Sequence, residues 1–269
     1  MIKVSFVVPV KNGERFIAQT IRSLQEQSVD NLEIIIVNDH SSDNTAKIIQ
    51  TVAKKDKRIV FCNLSNTTGV AAGRNAGTKL ARGAIVLPSD ADDPSYPDRA
   101  KISIEELEKN NADIFYGNLM RKYENGKEEL RHFQPYDHKM LRNINIVPNS
   151  ASAYKKEVFD KIGGYDESLK VGEDYDFWLS AQDKGFKFTC LNRPVTFYSM
   201  HSGQLTGTSV NKDKIQKRQK WNLTVREKHS IFSVDPEYVK TYATPRVVDF
   251  YTNKNYDIWF APASIPKNG

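Results

Sequence analysis

The chain has 269 residues, 39% of them hydrophobic and 27% charged, with no low-complexity tract. This excludes a disordered or fibrous chain and suits one α/β domain with an appended C-terminal segment. Lys and Arg number 39 against 33 Asp and Glu, a formal charge of +6, which favours an anionic partner only weakly and is mostly solvated surface.

The N-terminal run Val4–Val10 is apolar and β-branched, as in a strand buried on both faces. Pro9, Lys11 and Asn12 close it too early for a signal peptide. No later stretch approaches the ~20 apolar residues that span a bilayer, so the chain is expected to be soluble or at most peripheral to a membrane. Phe16, Ile17, Thr20, Ile21 and Leu24 follow at helical spacing. Ile34–Val37 is a second strand, and Ser42 or Asp43 is placed to cap a helix bearing Ala46, Ile49 and Val52. Ile59–Leu64 reads as a strand, Gly69–Ala81 as a small-residue helix and Ala84–Leu87 as a fourth strand. Arg99–Glu108 is another helix and Ile114–Gly117 another strand. Alternating strands and helices predict a mostly parallel sheet covered on both faces, with ligands at the carboxyl ends of its strands.

Beyond residue 118 the pattern changes. Leu119–Tyr123 and Glu129–Phe133 flank Asn125–Gly126, a hairpin signal. Lys156–Ile162 is a short helix stopped by Gly163–Gly164. Asp174–Lys184 is an amphipathic helix, Val195–Ser199 a strand and Lys214–His229 an exposed basic helix. Cys62 and Cys190 lie far apart and form neither a disulfide framework nor a zinc ribbon, so buried free thiols in a reducing cytosol are expected.

The segment Leu87-Pro88-Ser89-Asp90-Ala91-Asp92-Asp93-Pro94 places three carboxylates within four residues after an apolar strand. Their repulsion is costly without a cation, and oxygen ligands suit Mg²⁺ or Mn²⁺. A solvated acidic turn is the competing reading. Asp39, at a strand end, can accept from a nucleobase or ribose, whereas Asp43 better fits a cap. Arg74, within Gly69–Gly77, either reaches a diphosphate or sits exposed on a closely packed helix. In Gly172–Asp176 a carboxylate at the helix start reads either as a cap and dipole partner or as a general base. Glu173 and Asp174, being consecutive, point apart, so only one of them is expected to face a substrate. His201 follows a strand, where a metal or phosphate role competes with a structural one.

In this order the segments resemble the family 2 glycosyltransferases of GT-A fold. The stretches concerned are Val8–Glu14, Asn38–Asp43, Gly73–Gly77, Asp90–Asp93 with Pro97-Asp98-Arg99, and Gly172–Asp176. The resemblance covers residues 3 to about 203. It implies a Rossmann-like, mostly parallel sheet flanked by helices, with a smaller acceptor-side region. Residues 1–210 would form the catalytic domain, divided into a nucleotide-sugar half (1–118) and an acceptor half (119–210), with 211–269 as an extension. Pro9 and Glu14 would line the nucleotide pocket, and Asp39 would hold the base, typically uracil. Arg74 would lie near the base or diphosphate. Asp90 and Asp92 would hold donor and metal, with His201 as a third metal contact. Asp174 would be the base, with Glu173 its rival. Lys11, Asn38 and His40 depart from the common pattern and leave the base's identity open.

The implied activity is inverting, metal-dependent transfer of a sugar from a nucleoside diphosphate, UDP by resemblance, to an acceptor hydroxyl. The implied acceptor is a saccharide or lipid-linked saccharide of bacterial surface polysaccharide synthesis. The implied place is the cytoplasm or the inner face of the cytoplasmic membrane, where the basic run Lys212–Lys220 would face anionic lipid. No basic–aromatic interleaving points to nucleic acid. Two alternatives are a sugar-phosphate nucleotidyltransferase and a non-catalytic nucleotide-binding module. The first would need a glycine-rich basic loop after the first strand, where KNGERF has one glycine. The second would have no use for Asp90, Asp92 and Asp174.

Overall fold

A computed structural model describes residues 2–201 and 224–231. Strand β1 (Val4–Val10) is buried along its whole length and pairs in parallel with β2 (Leu32–Asn38) and β4 (Ile85–Pro88). β3 (Ile59–Asn63) adds in parallel to β2. The polar residues inside this apolar layer are satisfied: Ser5 donates to Glu33 at 2.7 Å, and Glu33 accepts from the Arg82 amide and guanidinium. Three helices follow these strands: α1 (Ile17–Gln25), α2 (Thr45–Ala53) and α3 (Val70–Leu80). α1 buries Ile17, Thr20, Ile21 and Leu24, the stripe its spacing predicts.

α3 lies unusually close to the sheet. A Cβ built on Gly73 would stand 2.9 Å from Pro9 Cβ, and one on Gly77 would stand 2.5 Å from Val7 Cγ1 and 3.1 Å from Val37 Cγ2. The small residues of this helix thus set its distance from β1 and β2, and with it the reach of Arg74.

The second half departs from simple alternation. α4 (Arg99–Lys109) leads into β5 (Ile114–Tyr123), one continuous strand where the sequence suggested two. β5 turns through Gly126 into β6 (Glu128–Arg131). A short helix, α5 (His138–Asn143), and a 3₁₀ turn at Asn149–Ala151 precede β7 (Ser152–Lys155), which escaped the sequence reading because it has four residues and little apolar periodicity. α6 (Lys156–Ile162) and α7 (Glu173–Asp183) follow, then β8 (Phe188–Met200). β8 is much longer than the expected Val195–Ser199. Its Pro194 pairs opposite Asn118 at a register shift, a bulge that tolerates a proline.

The sheet has eight strands in the order β3-β2-β1-β4-β7-β5-β6, with β8 beside β5. It is the mixed, mostly parallel sheet flanked by helices that was expected. Because β7 is antiparallel to both β4 and β5, β5 and its parallel partner β8 run in the direction of β4. The carboxyl ends of β1, β2, β4 and β8 therefore open on one rim. Behind that rim the core is aromatic: Tyr165 stacks on Phe177 at 4.4 Å, and Tyr154 meets Phe177 at 5.1 Å and Trp178 at 6.1 Å.

Among the described residues no helix is long and apolar enough to cross a membrane. Cys62 and Cys190 are free, but half-buried rather than buried as expected. The Lys212–Lys220 run and the expected boundary at 210 lie outside the described residues. So does most of the expected 214–229 helix. Its described end, a helical turn at 224–228, is not a wholly exposed face, since Val225 and His229 are buried.

Gly77→Ala should destabilise the protein by about 1–3 kcal/mol, because the added methyl has no room against Val7 and the helix must move off the sheet. Urea unfolding monitored by tryptophan fluorescence measures this, and an unchanged midpoint would contradict the close packing of α3.

Candidate active site

The rim's nucleotide side is built from the loops after β1 and β2. Pro9 is buried on β1 beneath α3. Glu14 Oε2 accepts from the Asn44 amide and side chain, both at 2.9 Å, tying the first loop to the start of α2. Asp43 lies one residue before Asn44, the N-cap of α2, and accepts from the amides of Thr45 and Glu14, so it supports the helix start without being its cap residue. Burial works against its charge, but these bonds, with that from the Thr45 hydroxyl, hold its carboxyl below the usual range. Asp39 is buried at the end of β2. It accepts from Thr68 N at 2.6 Å, Thr68 Oγ1 at 3.0 Å and Gly69 N at 3.0 Å. Its carboxylate thus fastens the turn that starts α3. Lys11 stands beside this turn, donating to Thr67 Oγ1 at 3.1 Å.

Arg74 occupies the centre. It is 5% exposed and leaves α3 toward two carboxylates. Its Nη2 donates to Asp90 Oδ1 at 3.0 Å, and its Nη1 pairs with Glu173 Oε1. Asn149, with its amide oxygen turned to the guanidinium, accepts from Nε at 3.3 Å and Nη2 at 3.0 Å. The Tyr165 ring lies 5.6 Å beneath. Burial opposes the charge on Arg74, but Glu173 and Asp90 raise its pKa above the ordinary range. One guanidinium thereby joins the acidic loop after β4 to the first turn of α7.

Asp92 faces the other way, with its Oδ2 2.9 Å from His201 Nε2. The His201 ring stacks on Phe16 with centroids 4.3 Å apart. Ser199 secures this pairing: its amide donates to Asp93 Oδ1 at 3.0 Å and its hydroxyl to the Asp92 carbonyl. Burial and the neighbouring Asp90 raise the Asp92 carboxyl, and His201 acts against that shift. Burial and the charges of Asp92 and Asp90 push Asp93 well up. Below the loop Arg99 is fully buried and donates to Ser89, Ser95 and the carbonyls of Pro88 and Ser152. Burial brings its pKa down to about 9 against the pull of Asp90 and Asp93.

The structure therefore unites two of the three expected metal contacts. Asp92 and His201 are adjacent, while Asp90 turns to Arg74. Among the described residues no group of three or more His, Cys, Asp or Glu is placed to hold a metal ion. An oxygen and an imidazole nitrogen 2.9 Å apart, beside an uncompensated carboxylate, still fit a divalent ion that draws its other ligands from phosphate and water.

Glu173 and Asp174 have diverged as consecutive helical residues must. Glu173 is buried against Arg74. Asp174 is half-buried, with its oxygens held by the Tyr175 amide at 2.8 Å and Asn145 Nδ2 at 3.3 Å. Burial, then the charge of Glu173, raises its pKa to about 7. Gly172, at φ 85°, supplies the left-handed turn that starts α7 at this angle.

Residues 5–163 match the family model described as Glycosyl transferase family 2. The chain belongs to this family. An uncharacterised glycosyltransferase of Methanocaldococcus jannaschii is 26% identical over 224 residues, 79% of this chain and 76% of its own length. The chain spans 26% of the length of a Rickettsia bellii glycosyltransferase and 83% of one from Haemophilus influenzae. Among solved structures, Staphylococcus aureus TarS 1–349 in complex with UDP-GlcNAc aligns with a TM-score of 0.69 and 18% identity, covering 94% of this chain and 72% of that one. Pyrobaculum calidifontis mannosyltransferase PcManGT, in complex with GDP-Man and Mn²⁺, aligns at 0.65 and 17%, covering 89% and 67%. These likenesses give the GT-A fold, and family membership makes the chain a glycosyltransferase rather than a nucleotidyltransferase.

Several residues of this family 2 site had no individual assignment from the sequence. Asn145 and Asn149 sit in a stretch without a motif. Arg99 and Asp93 lie inside motifs, Asp93 only as one of three candidate carboxylates, and their buried hydrogen bonds appear only in the structure. Arg74→Met should cost about 3–5 kcal/mol, since it strands the buried Glu173 carboxylate. Adding Glu173→Gln should recover part of that loss. Urea unfolding of the two single variants and the double variant measures the coupling, and strictly additive losses would mean the pair does not interact.

Proposed function

We propose that the protein is an inverting glycosyltransferase that uses Asp174 as general base and a nucleoside-diphosphate sugar, UDP-linked by likeness to TarS, as donor. The observation that carries this reading is the Arg74 bridge, which gathers the Asp90 loop and the Glu173–Asp174 turn at one corner of the rim. The nucleotide would lie over the loops after β1 and β2, between Pro9, Glu14 and the Asp39-anchored turn. With Asp39 engaged by Thr68 and Gly69, its part in holding the base includes fixing the turn on which the base rests. The acceptor would approach from the α5–α7 side, where Asn145 orients Asp174.

A base works best when its pKa lies near the working pH and it is free to take a proton. Glu173 is neutralised by Arg74 and buried, which favours Asp174 over its rival. Asp174 takes the proton from the acceptor hydroxyl as that oxygen attacks the anomeric carbon from the face opposite the diphosphate. One displacement inverts the configuration, so an α-linked donor gives a β-linked product. Asp92 and His201, with Asp90 beside them, would hold Mn²⁺ or Mg²⁺, as the PcManGT complex with Mn²⁺ suggests by fold. The bound ion would supply charge neutralisation for the departing diphosphate. The acceptor would be a saccharide or lipid-linked saccharide at the inner face of the cytoplasmic membrane, within surface polysaccharide synthesis.

A thermal-shift screen of sugar nucleotides with and without Mn²⁺ identifies the donor, since ligand binding to the folded state raises Tm. No shift with any of them would sink the reading. For the donor so found, Asp174→Asn should lower kcat about 10²–10⁴-fold. It should also raise Tm at pH 8, because the folded state no longer carries a charge that its surroundings disfavour. Burial and the charge of Glu173 raise the folded pKa of Asp174 to about 7 from the ordinary aspartate value of 3.8. As a base it must be deprotonated, so kcat/KM should fall as pH drops below about 7. The same group destabilises the fold once ionised, and that cost is lost as pH falls from 7 toward 4. A rate independent of pH between 5 and 8 would count against Asp174. Asp92→Asn should abolish the Mn²⁺ dependence of donor binding, and a retained dependence would place the ion elsewhere.

A further inference from the structure

Asp176 ends the Gly172–Asp176 element, and the transfer described above gives it nothing to do. It is 2% exposed, yet both its oxygens are engaged by residues far along the chain. Lys228 Nζ donates to Oδ2 at 2.9 Å, and His229 Nε2 meets Oδ1 at 3.0 Å. Lys228 also reaches Asp166 at 2.9 Å, and His229 Nδ1 reaches Asp183 at 2.7 Å. Burial works against both cations, but their carboxylate partners raise the pKa of each.

The remainder of segment 224–231 is fastened to the same elements. Val225 is fully buried, and a Cβ on Gly172 would lie 3.6 Å from its Cγ2. Arg226 Nη2 donates to the Asn143 carbonyl, and Arg142 Nη2 donates to the His229 carbonyl, each at 2.5 Å. The segment therefore touches the approach to α7 at Asp166, its first turn at Gly172 and Asp176, and its last turn at Asp183. It also holds the end of α5 at Arg142 and Asn143. Two residues beyond Asn143, Asn145 orients Asp174. Both supports of Asp174 are thus secured by one short stretch.

We propose that residues 224–231 are a clasp that positions the catalytic base, with Lys228 and His229 acting through Asp176 on the Glu173–Asp174 turn. The inference rests on the reading of Asp174 as base. Neither cation belongs to the reacting group, so their removal should loosen the base without touching the nucleotide pocket. A misplacement of this kind shows in kcat, whereas loss of donor contacts shows in KM.

The test uses the full chain with Lys228→Met, His229→Gln and Lys228→Arg, the donor that the wild type turns over, and free UDP as the binding probe. Lys228 has a side chain 43% exposed, so its methionine variant requires no repacking and decides the matter even if His229→Gln fails to fold. Lys228→Met and His229→Gln should lower kcat about tenfold to a hundredfold. Donor KM and the Tm shift caused by UDP should stay within about twofold of wild type. Lys228→Arg should restore most of the rate. An unchanged kcat in Lys228→Met, or a fall in kcat matched by weaker UDP binding and lower Tm, overturns the clasp. If Asp174→Asn is inactive while Lys228→Met is fully active, only the clasp fails. If Asp174→Asn is active, the base assignment fails first.

Discussion

Arg74 brings a buried guanidinium against two carboxylates that come from opposite ends of the domain. Asp90 follows β4, and Glu173 begins α7. Removing either would leave a charge in a poorly hydrated place, so the three groups hold one another in position. The bridge also divides labour between neighbours. By taking Glu173 it leaves Asp174, one residue on and turned away, as the half-buried carboxyl of the pair without a cation among the described residues. By taking Asp90 it leaves Asp92 to face His201. Asn75, next in the chain, does related work. Its amide links the Tyr165 backbone and Glu167, which fixes the loop leading toward α7.

Arg74 can make these contacts because of the glycines around it. Gly73 and Gly77 bring α3 against Pro9 and Val7, and a larger residue at either place would lift the helix. The direction of the strands does the rest. β7 enters antiparallel between β4 and β5, so β8 runs with β4 and delivers Ser199 and His201 to the rim where the acidic loop waits. Ser199 then bonds to both Asp92 and Asp93. Two segments more than 100 residues apart are locked in register by one side chain and one amide.

The first half of this architecture was legible in the sequence for a simple reason. Its strands are buried on both faces and its helices cover them, so apolar runs and 3.6-residue spacing stand out. The second half hid its elements. β7 is only four residues, Ser-Ala-Tyr-Lys, too few to show a period. The start of β8, Phe188–Arg193, mixes polar and apolar residues ahead of a proline at a bulge. The site was readable where motifs placed acids after strands, at Asp39, at Asp90–Asp93 and at Glu173–Asp174. The sequence does not carry the partners. Arg74 read equally as a diphosphate ligand or a packing residue, and its carboxylate pair appears only in three dimensions. Asn145, Asn149 and the whole of the 224–231 contact depend on tertiary neighbours that no local spacing announces.

The charge balance at the rim explains why so much structure is committed to one corner. Asp90, Asp92, Asp93, Glu173 and Asp174 converge there, with Arg74 and Arg99 as the buried cations beside them. Arg74 offsets two of the five carboxyls. Arg99 bonds only to neutral oxygens, so it contributes a field rather than a pair. Burial first, and the neighbouring carboxylates second, make the remaining acids Asp92, Asp93 and Asp174 hold protons more tightly. Such a corner is locally unfavourable to folding, and natural proteins keep strain of this kind where it serves chemistry. The cost is met by the packing behind it: the Tyr154, Tyr165, Phe177 and Trp178 cluster anchors α7 from within, and the 224–231 segment anchors it from outside. Held on both sides, the first turn of α7 can present a carboxyl whose affinity for a proton lies near neutrality, which a freely hydrated aspartate would not have.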